Sequence, residues 1–472
     1  MSEDTMMTLD QAAQAIGASR SGPDRGFAGV STDSRTLAAG DLFVALGGEH
    51  FDGHVFVAEV IARGAAGVLV SHEFARRENA AHPGWPLLAV DATRRSLGAL
   101  AAAWRQRFTL PLIGITGSSG KTTVKEMSAA ILRAAGFEVL ATKGNLNNDI
   151  GLPLTLLKLR PRHGAAVIEM GMNHSGEIAY LTQLAQPTVA VVNNAQRAHL
   201  EGLGSVQEVA LAKGEIFGGL GRDGIAVFNA DDAQAALWHE LASGHIELTF
   251  GLDHLADVRG EFTAHGLGGE LRLTTPWGDA TVTLAVPGWH NAGNACAAAA
   301  ATLAAGVPLT AVVGGLEGFR GVKGRLECHV GLHGARIIDD SYNANPDSLR
   351  AAIDVLAGLP GKRILALGDM GETGPAAGQF HDEIGGYAKS HGIDRLFCLG
   401  ELSLAAAHNF GEGGAHFAQI ADLLRQIIPE LNEETTVLVK GSRFMRMERV
   451  VAALGAASDP AAPAEQGESH AA

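Results

Sequence analysis

The sequence predicts an α/β protein of three domains. Three observations carry that expectation: a length of 472 residues, an alternation of β-like apolar runs with helical patterns that begins at Leu112, and a second start of the same alternation after Arg325. At about 150 residues per domain, the length suits roughly three hydrophobic cores. Alternating strands and helices are the pattern of a mostly parallel sheet with crossover helices, and the second alternation reads as a Rossmann-like domain. With 46% hydrophobic and 18% charged residues the chain can fill packed cores, and 61 glycines beside only 5% aromatics suit close helix-on-sheet packing and tight turns.

Charge and cysteine usage narrow the function classes. Lys plus Arg number 36 against 51 Asp plus Glu, a formal charge of −15, which opposes broad electrostatic binding to nucleic acid or anionic lipid but leaves room for local phosphate sites. No apolar run approaches the roughly 18 residues of a membrane span, and Met1 to Asp10 lacks the basic start of a secretory signal. A cytoplasmic monomer without a membrane span is expected. Cys296, Cys328 and Cys398 are too few and scattered for a disulfide framework or a zinc knuckle, so three reduced thiols are expected.

Taken in order, residues 1–109 read as a small α/β unit. An amphipathic helix over Leu9 to Ile16 precedes β-like runs at Asp41 to Leu46 and Gly67 to Val70, with helical patterns at His54 to Arg63 and Arg94 to Phe108. Residues 110–325 form the second domain, with strands expected at Leu112 to Thr116, Ala165 to Met170, Thr188 to Asn193 and Gly224 to Phe228. Within it, Glu247 to Val286 alternates short strands with Gly-rich turns, an antiparallel appendage. Residues 326–455 form the third domain, with strands at Arg336 to Asp339 and Arg363 to Leu367 about a helix at Pro346 to Leu356. From Ala456 to Ala472 the composition falls to Ala, Pro, Ser, Glu and Gly, the signature of a disordered tail.

One motif carries chemistry without help. Gly117-Ser118-Ser119-Gly120-Lys121-Thr122-Thr123 sits between an apolar strand and the helical pattern Val124 to Ala135, where backbone N–H groups and the helix start cradle phosphates. Lys121 then reaches the β/γ oxygens and Thr122 holds Mg²⁺. Ile115 replaces the first glycine of the longer consensus, so this is a shortened phosphate loop. The other candidates are weaker alone. Glu169 at a strand end is an ordinary strand-end acid unless a cation sits beside it, and His199 with Lys213, 14 residues on, reads as a loop histidine and a solvated lysine. Asn291 and Asn294 precede the Ala-rich run Ala295 to Ala305 and either offer amides to an adenine edge or serve capping and core packing. Ser31, Asp33, Ser34 and Arg35, like Asp52 and His54 after Glu49 and His50, lie in polar Gly-broken loops that read as turns.

Together these pieces resemble the ATP-dependent Mur ligases of peptidoglycan synthesis. The resemblance rests on the phosphate loop, Glu169, Ala198-His199-Leu200-Glu201-Gly202, Ala212-Lys213-Gly214-Glu215-Ile216 and Gly288-Trp289-His290-Asn291-Ala292-Gly293-Asn294 in this order. Asn145 to Gly151, Glu169 to His174, Asp339 to Pro346, Gly368 to Glu372 and Lys440 to Arg443 resemble the D-alanyl-D-alanine-adding branch of that family. The resemblance implies that the first domain binds a UDP-linked substrate through Ser31, Asp33, Ser34, Arg35, Asp52 and His54. It implies ATP on Gly117 to Thr123 with Asn291, Asn294, Arg325 and Asp340, Arg325 reaching the transferred phosphate. It further implies two Mg²⁺ ions, one on Thr122 and Glu169, the other on His199 and a carbamate of Lys213 formed with CO₂. The substrates so implied are UDP-N-acetylmuramoyl-tripeptide and D-alanyl-D-alanine, the dipeptide on Asn343, Asn345, Lys440, Ser442 and Arg443. A Mur or folylpolyglutamate-type ligase with another amino acid or acceptor is the alternative, and a P-loop protein that hydrolyses ATP to drive a conformational change leaves His199 and Lys213 unexplained.

Overall fold

The computed structural model describes residues 5–48 and 51–455. The tail expected at 456–472, and Glu49 and His50, lie outside the described residues. The described residues divide into two compact units, one within Met1–Thr263, Gly269–Ala285 and Trp289–Phe319, the other within Ala264–Gly268, Val286–Gly288 and Arg320–Ala472.

The first unit carries two large sheets. Five strands run in the order Ser19–Arg20, Leu87–Val90, Gly67–Ser71, Leu42–Val44, Val30–Ser31, parallel except for the first pair. The amphipathic pattern of Leu9–Ile16 forms a helix as expected, closed at its start by the Thr8 hydroxyl and at its end by Gly17 in the left-handed conformation. The helix Thr93–Arg105 then leads into the second sheet, and one core runs from Leu9 through Leu97 and Trp104 to Leu112 and Ile168. Burial therefore continues across the boundary read near Thr109.

The second sheet has nine strands. Its parallel part places Leu112–Thr116 between Ala165–Glu169 and Val189–Val192, with Ile225–Asn229 and Ile246–Gly251 beyond. These strands are apolar at nearly every position because both faces of a parallel sheet are covered. The segment read as an antiparallel appendage splits: Ile246–Gly251 joins the parallel part, and Gly268–Thr275 with Gly278–Leu284 is an antiparallel hairpin at the sheet edge. The helix Ala235–Leu241 supplies the crossover that makes the parallel pairing possible.

The second unit is a six-stranded sheet in the order Glu327–Val330, Arg336–Asp340, Thr435–Lys440, Lys362–Gly368, Arg395–Leu399, Gly414–Phe417, parallel after the first pair. One core forms on each face, around Ile338, Leu365 and Leu438 on one side and Ile337, Ala366 and Val439 on the other, the doubly wound arrangement that the alternation predicts. Among the described residues no helix is long and apolar enough to cross a membrane.

Candidate active site

Registers of the nine-stranded sheet bring three strand ends side by side. Glu169 pairs with Ile115, and Val192 with Thr116, so the segments after Thr116, Glu169 and Val192 leave the sheet at the same edge. Such a point, where connections diverge to opposite sides of a parallel sheet, is where α/β folds bind ligands.

From Thr116 the chain enters the phosphate loop, and the helix Lys121–Ala134 begins directly after Gly120. Gly120 has φ +79°, and a Cβ there would lie 2.3 Å from Asn294 Oδ1 and 2.5 Å from Asn193 Nδ2, so no side chain fits. The loop is held from behind by two asparagines. Ser119 N–H donates to Asn194 Oδ1 (2.9 Å), and the Ser119 carbonyl accepts from Asn193 Nδ2 (2.9 Å) and Asn194 Nδ2 (3.1 Å). Asn193 also donates to Asn294 Oδ1 (2.9 Å), whose Nδ2 donates to Asn291 Oδ1 (3.1 Å). Both of these asparagines lie inside the helix Trp289–Ala304, not ahead of it, because the helix starts two residues before Asn291; capping is thereby removed as their role.

The Lys121 ammonium donates to the carbonyl oxygens of Gly117 (2.6 Å) and Ser118 (3.4 Å), which keeps it over its own loop. One residue on, the Thr122 hydroxyl donates to Glu169 Oε2 (3.0 Å), while Asn147 Nδ2 donates to Oε1 (2.8 Å). Glu169 is only 2% exposed. A hydroxyl and a carboxylate in contact form a hard oxygen pair of the kind Mg²⁺ takes, so the residues present fit that ion.

His199 adopts φ +58° at the start of the short helix Leu200–Leu203. Lys213 stands in the last turn of Val206–Gly214 and is 1% exposed, so the bland reading of a solvated lysine is excluded. Burial, assisted by the positive charge of Lys121, holds the Lys213 amine well below the usual lysine range.

The second unit holds its own candidates at the ends of two paired strands. Asp340 is the register partner of Lys440, and Lys440 Nζ meets Asp340 Oδ2 at 2.5 Å and the Asn343 carbonyl at 3.0 Å. Burial pushes the Asp340 carboxyl up, against the pull of Lys440. Arg325 lies over the Tyr342 ring at 4.4 Å from its centroid, and Arg443 reaches the same ring at 5.8 Å. Asn345 is engaged as the cap of the helix Pro346–Ala357, and the Ser442 hydroxyl donates to Ala344 O (3.2 Å) while accepting from Gly371 N–H (2.8 Å). Asn343 Oδ1 accepts from Ala344 N–H (2.9 Å).

In the first sheet, Ser31 and Asp33 close a tight turn, and Arg35 forks onto the Asp33 carboxylate (2.6 and 2.9 Å), lowering its pKa. Arg63 donates to the Ser34 carbonyl. Asp52 caps Gly53–Phe56 and accepts from His54 Nδ1 (2.6 Å), while His54 Nε2 accepts from Ser71 N–H (3.0 Å).

Comparison with known proteins agrees with this geometry. Family descriptions match along the chain: "Mur ligase family, catalytic domain" at 27–105, "Mur ligase middle domain" at 115–302 and "Mur ligase, glutamate ligase domain" at 324–443. The UDP-N-acetylmuramoyl-tripeptide--D-alanyl-D-alanine ligase of Escherichia coli (strain K12) is 43% identical over 455 residues, covering 95% of this chain and 98% of that one. The chain belongs to the Mur ligase family. Among solved structures, MurF from Acinetobacter baumannii superposes on this Mur ligase with a TM-score of 0.88 at 37% identity, covering 94% and 98% of the two chains. MurF from Thermotoga maritima in complex with ADP gives 0.77 at 26% identity, covering 90% and 96%.

Several residues of this Mur ligase site escape a motif reading. Asn193 and Asn194 brace the loop and Asn147 touches Glu169, yet in sequence they are asparagines in polar turns; only their place directly after an apolar strand, or in a Gly- and Asn-rich stretch, hints at more. Tyr342 under two guanidinium groups has no local signal.

Proposed function

We propose that this Mur ligase joins D-alanyl-D-alanine to UDP-N-acetylmuramoyl-tripeptide in the cytoplasm, converting ATP to ADP and phosphate. The observation that carries the reading is the meeting of the Lys121 loop with the Thr122–Glu169 pair, beside a buried Lys213 amine, in a chain of 43% identity to a ligase of that name. The chemical obstacle is the substrate carboxylate, a poor electrophile at neutral pH. In the first step a carboxylate oxygen bonds to the γ-phosphorus of ATP as the bond to the β-phosphate oxygen breaks, giving an acyl phosphate and ADP. The dipeptide amine then attacks the carbonyl carbon, the C–N bond forms, phosphate leaves and the amine proton is lost to solvent.

Two anions approach in the first step, so cationic groups are required to offset their repulsion and to stabilise charge in the transition state. Lys121 is assigned to the β/γ oxygens, and the N–H groups of Gly117 to Thr123 to the phosphates. Thr122 and Glu169 would hold one Mg²⁺, and His199 with a carbamate of Lys213 a second; bound there, the ions supply charge neutralisation and orientation. Carbamate formation needs a neutral amine, and the lowered pKa of Lys213 provides one. Asn291, Asn294, Arg325 and Asp340 are assigned to ATP, with Arg325 directed at the transferred phosphate. The UDP moiety is assigned to Ser31, Asp33, Ser34, Arg35, Asp52 and His54, and the dipeptide to Asn343, Asn345, Lys440, Ser442 and Arg443. By the same reading the domains are 1–109 for the UDP substrate, 110–325 for ATP and 326–455 for the incoming dipeptide, in a monomer.

Phosphate release assayed with UDP-N-acetylmuramoyl-tripeptide, with and without D-alanyl-D-alanine, tests the reading. Release that requires both compounds is the expected result; ATP turnover indifferent to the dipeptide would overturn it.

A further inference from the structure

Glu169 is held by more than its two side-chain donors. The segment 142–149, which runs from the end of the strand Val139–Ala141 to the head of the helix Gly151–Leu156, touches it at two points and is itself fastened at two others. At its start, the Thr142 hydroxyl accepts from Glu169 N–H (3.0 Å) and the Thr142 carbonyl accepts from Lys125 Nζ (2.6 Å). Lys125 lies one turn beyond Lys121 on the same helix and is 1% exposed. A buried ammonium carries a desolvation cost that only such a short contact, with Glu126 at 2.8 Å as its counter-charge, offsets.

Further along, Asn147 lies against the chain that follows Glu169. Its Nδ2 reaches Glu169 Oε1, its carbonyl accepts from Gly171 N–H (2.9 Å), and a Cβ on Gly171 would fall 2.9 Å from the Asn147 amide carbon. Two residues later Asp149 receives a forked pair from Arg94, Nε to Oδ2 at 2.5 Å and Nη2 to Oδ1 at 2.6 Å. Arg94 belongs to the helix Thr93–Arg105, which follows the five-stranded sheet. A planar fork fixes orientation as well as distance.

We propose that 142–149 is a strap that aims the Glu169 carboxylate at its cation, and that Lys125 and the Arg94–Asp149 pair are positioning residues for that site. None of the three is assigned to substrate or metal; they act through Thr142, Asn147 and Glu169. The proposal rests on the reading of Glu169 as a cation ligand. It ties the helix after the first sheet to the chemistry of the second, so that an exposed ion pair in one sets metal affinity in the other.

The test is the apparent Mn²⁺ dissociation constant of the full-length protein with ADP, followed by electron paramagnetic resonance, together with the melting temperature. Asn147→Leu should weaken Mn²⁺ by about 10-fold or more, the usual consequence of removing a partner of a metal-binding carboxylate. Arg94→Asp and Asp149→Arg should each weaken it several-fold with the melting temperature unchanged, since both side chains are on the surface, and the double swap should restore it. Lys125→Met should weaken Mn²⁺ beyond what its loss of stability explains. Unchanged affinity in Arg94→Asp and Asn147→Leu, with a loss in Glu169→Gln, would overturn the strap while leaving the ligand reading intact. Unchanged affinity in Glu169→Gln would overturn both.

Discussion

Thr122 and Glu169 are 47 residues apart in sequence and meet through a hydrogen bond of 3.0 Å with the carboxylate buried. That contact joins the first turn of the phosphate-loop helix to the neighbouring strand, so the proposed nucleotide and cation sites share the same few ångströms of structure. Replacing Glu169 by Gln keeps the shape and removes the charge. The expected result is a higher Mg²⁺ requirement for phosphate release with the fold retained, checked by titrating Mg²⁺ at saturating ATP.

Lys121→Ala should abolish turnover while the circular dichroism spectrum stays that of the folded protein. The ammonium sits at a loop-to-helix turn, donates to the Gly117 and Ser118 carbonyls of its own loop and lies outside the hydrophobic core, so its loss leaves that core intact. Near wild-type ligation by the folded variant would count against the nucleotide assignment.

At Lys213 the substitution pattern separates a carbamate from a plain ammonium. Lys213→Ala should lose activity that short-chain carboxylic acids partly restore, and Lys213→Arg, which keeps a positive charge in a 1% exposed position, should be inactive. A fully active Arg variant would remove the carbamate from the mechanism.

The Asp340–Lys440 pair predicts an asymmetric stability effect. Lys440→Met leaves a buried carboxylate without its partner and should cost about 3–5 kcal/mol, whereas the double change Asp340→Asn with Lys440→Met should recover much of that loss. Urea unfolding of the three proteins gives the comparison; equal losses in single and double variants would contradict it.

Acid sensitivity is expected from His381. Its Nδ1–H donates to the Ala377 carbonyl (2.7 Å) and its Nε2 accepts from Met370 N–H (2.9 Å), so the fold accommodates the neutral ring, and burial lowers its pKa from 6.5. The unfolded chain therefore binds the proton first as pH falls, and stability present above pH 6.5 is lost as pH drops from there through the folded value. Thermal melts of His381→Gln should show a shallower decline below pH 6.5 than the natural protein.

How much of this was readable in advance depends on the distance over which each feature is determined. Helices such as Leu9–Ile16 and Pro346–Ala357, and strands such as Leu112–Thr116, follow from local period and local caps, and they lie where the pattern puts them. The phosphate loop is legible for the same reason: strand, glycines, lysine and helix are contiguous. The fate of Ile246–Gly251 was not, because whether a short apolar run pairs parallel or antiparallel depends on a neighbour chosen by the whole sheet. Lys213 shows the same limit at the site, since nothing local distinguishes a buried lysine from a solvated one. The bracing by Asn193, Asn194 and Asn294 is set by the meeting of segments 75 and 101 residues apart, which no local window contains.

Those same separations set the order in which the molecule can be built. The bracing of the phosphate loop includes a contact of Asn193 with Asn294 across 101 residues and one of Ser119 with Asn194 across 75. Non-local contacts form more slowly than local ones, so the loop, although early in the chain, is expected to mature after the helices and strands set by local pattern. On the ribosome, a nascent chain that ends before the helix Trp289–Ala304 carries every glycine of the phosphate loop, with Asn193 and Asn194, but not the Asn294 that fastens Asn193. Nucleotide-dependent protection from proteolysis should therefore appear in length-arrested chains only after that helix has emerged.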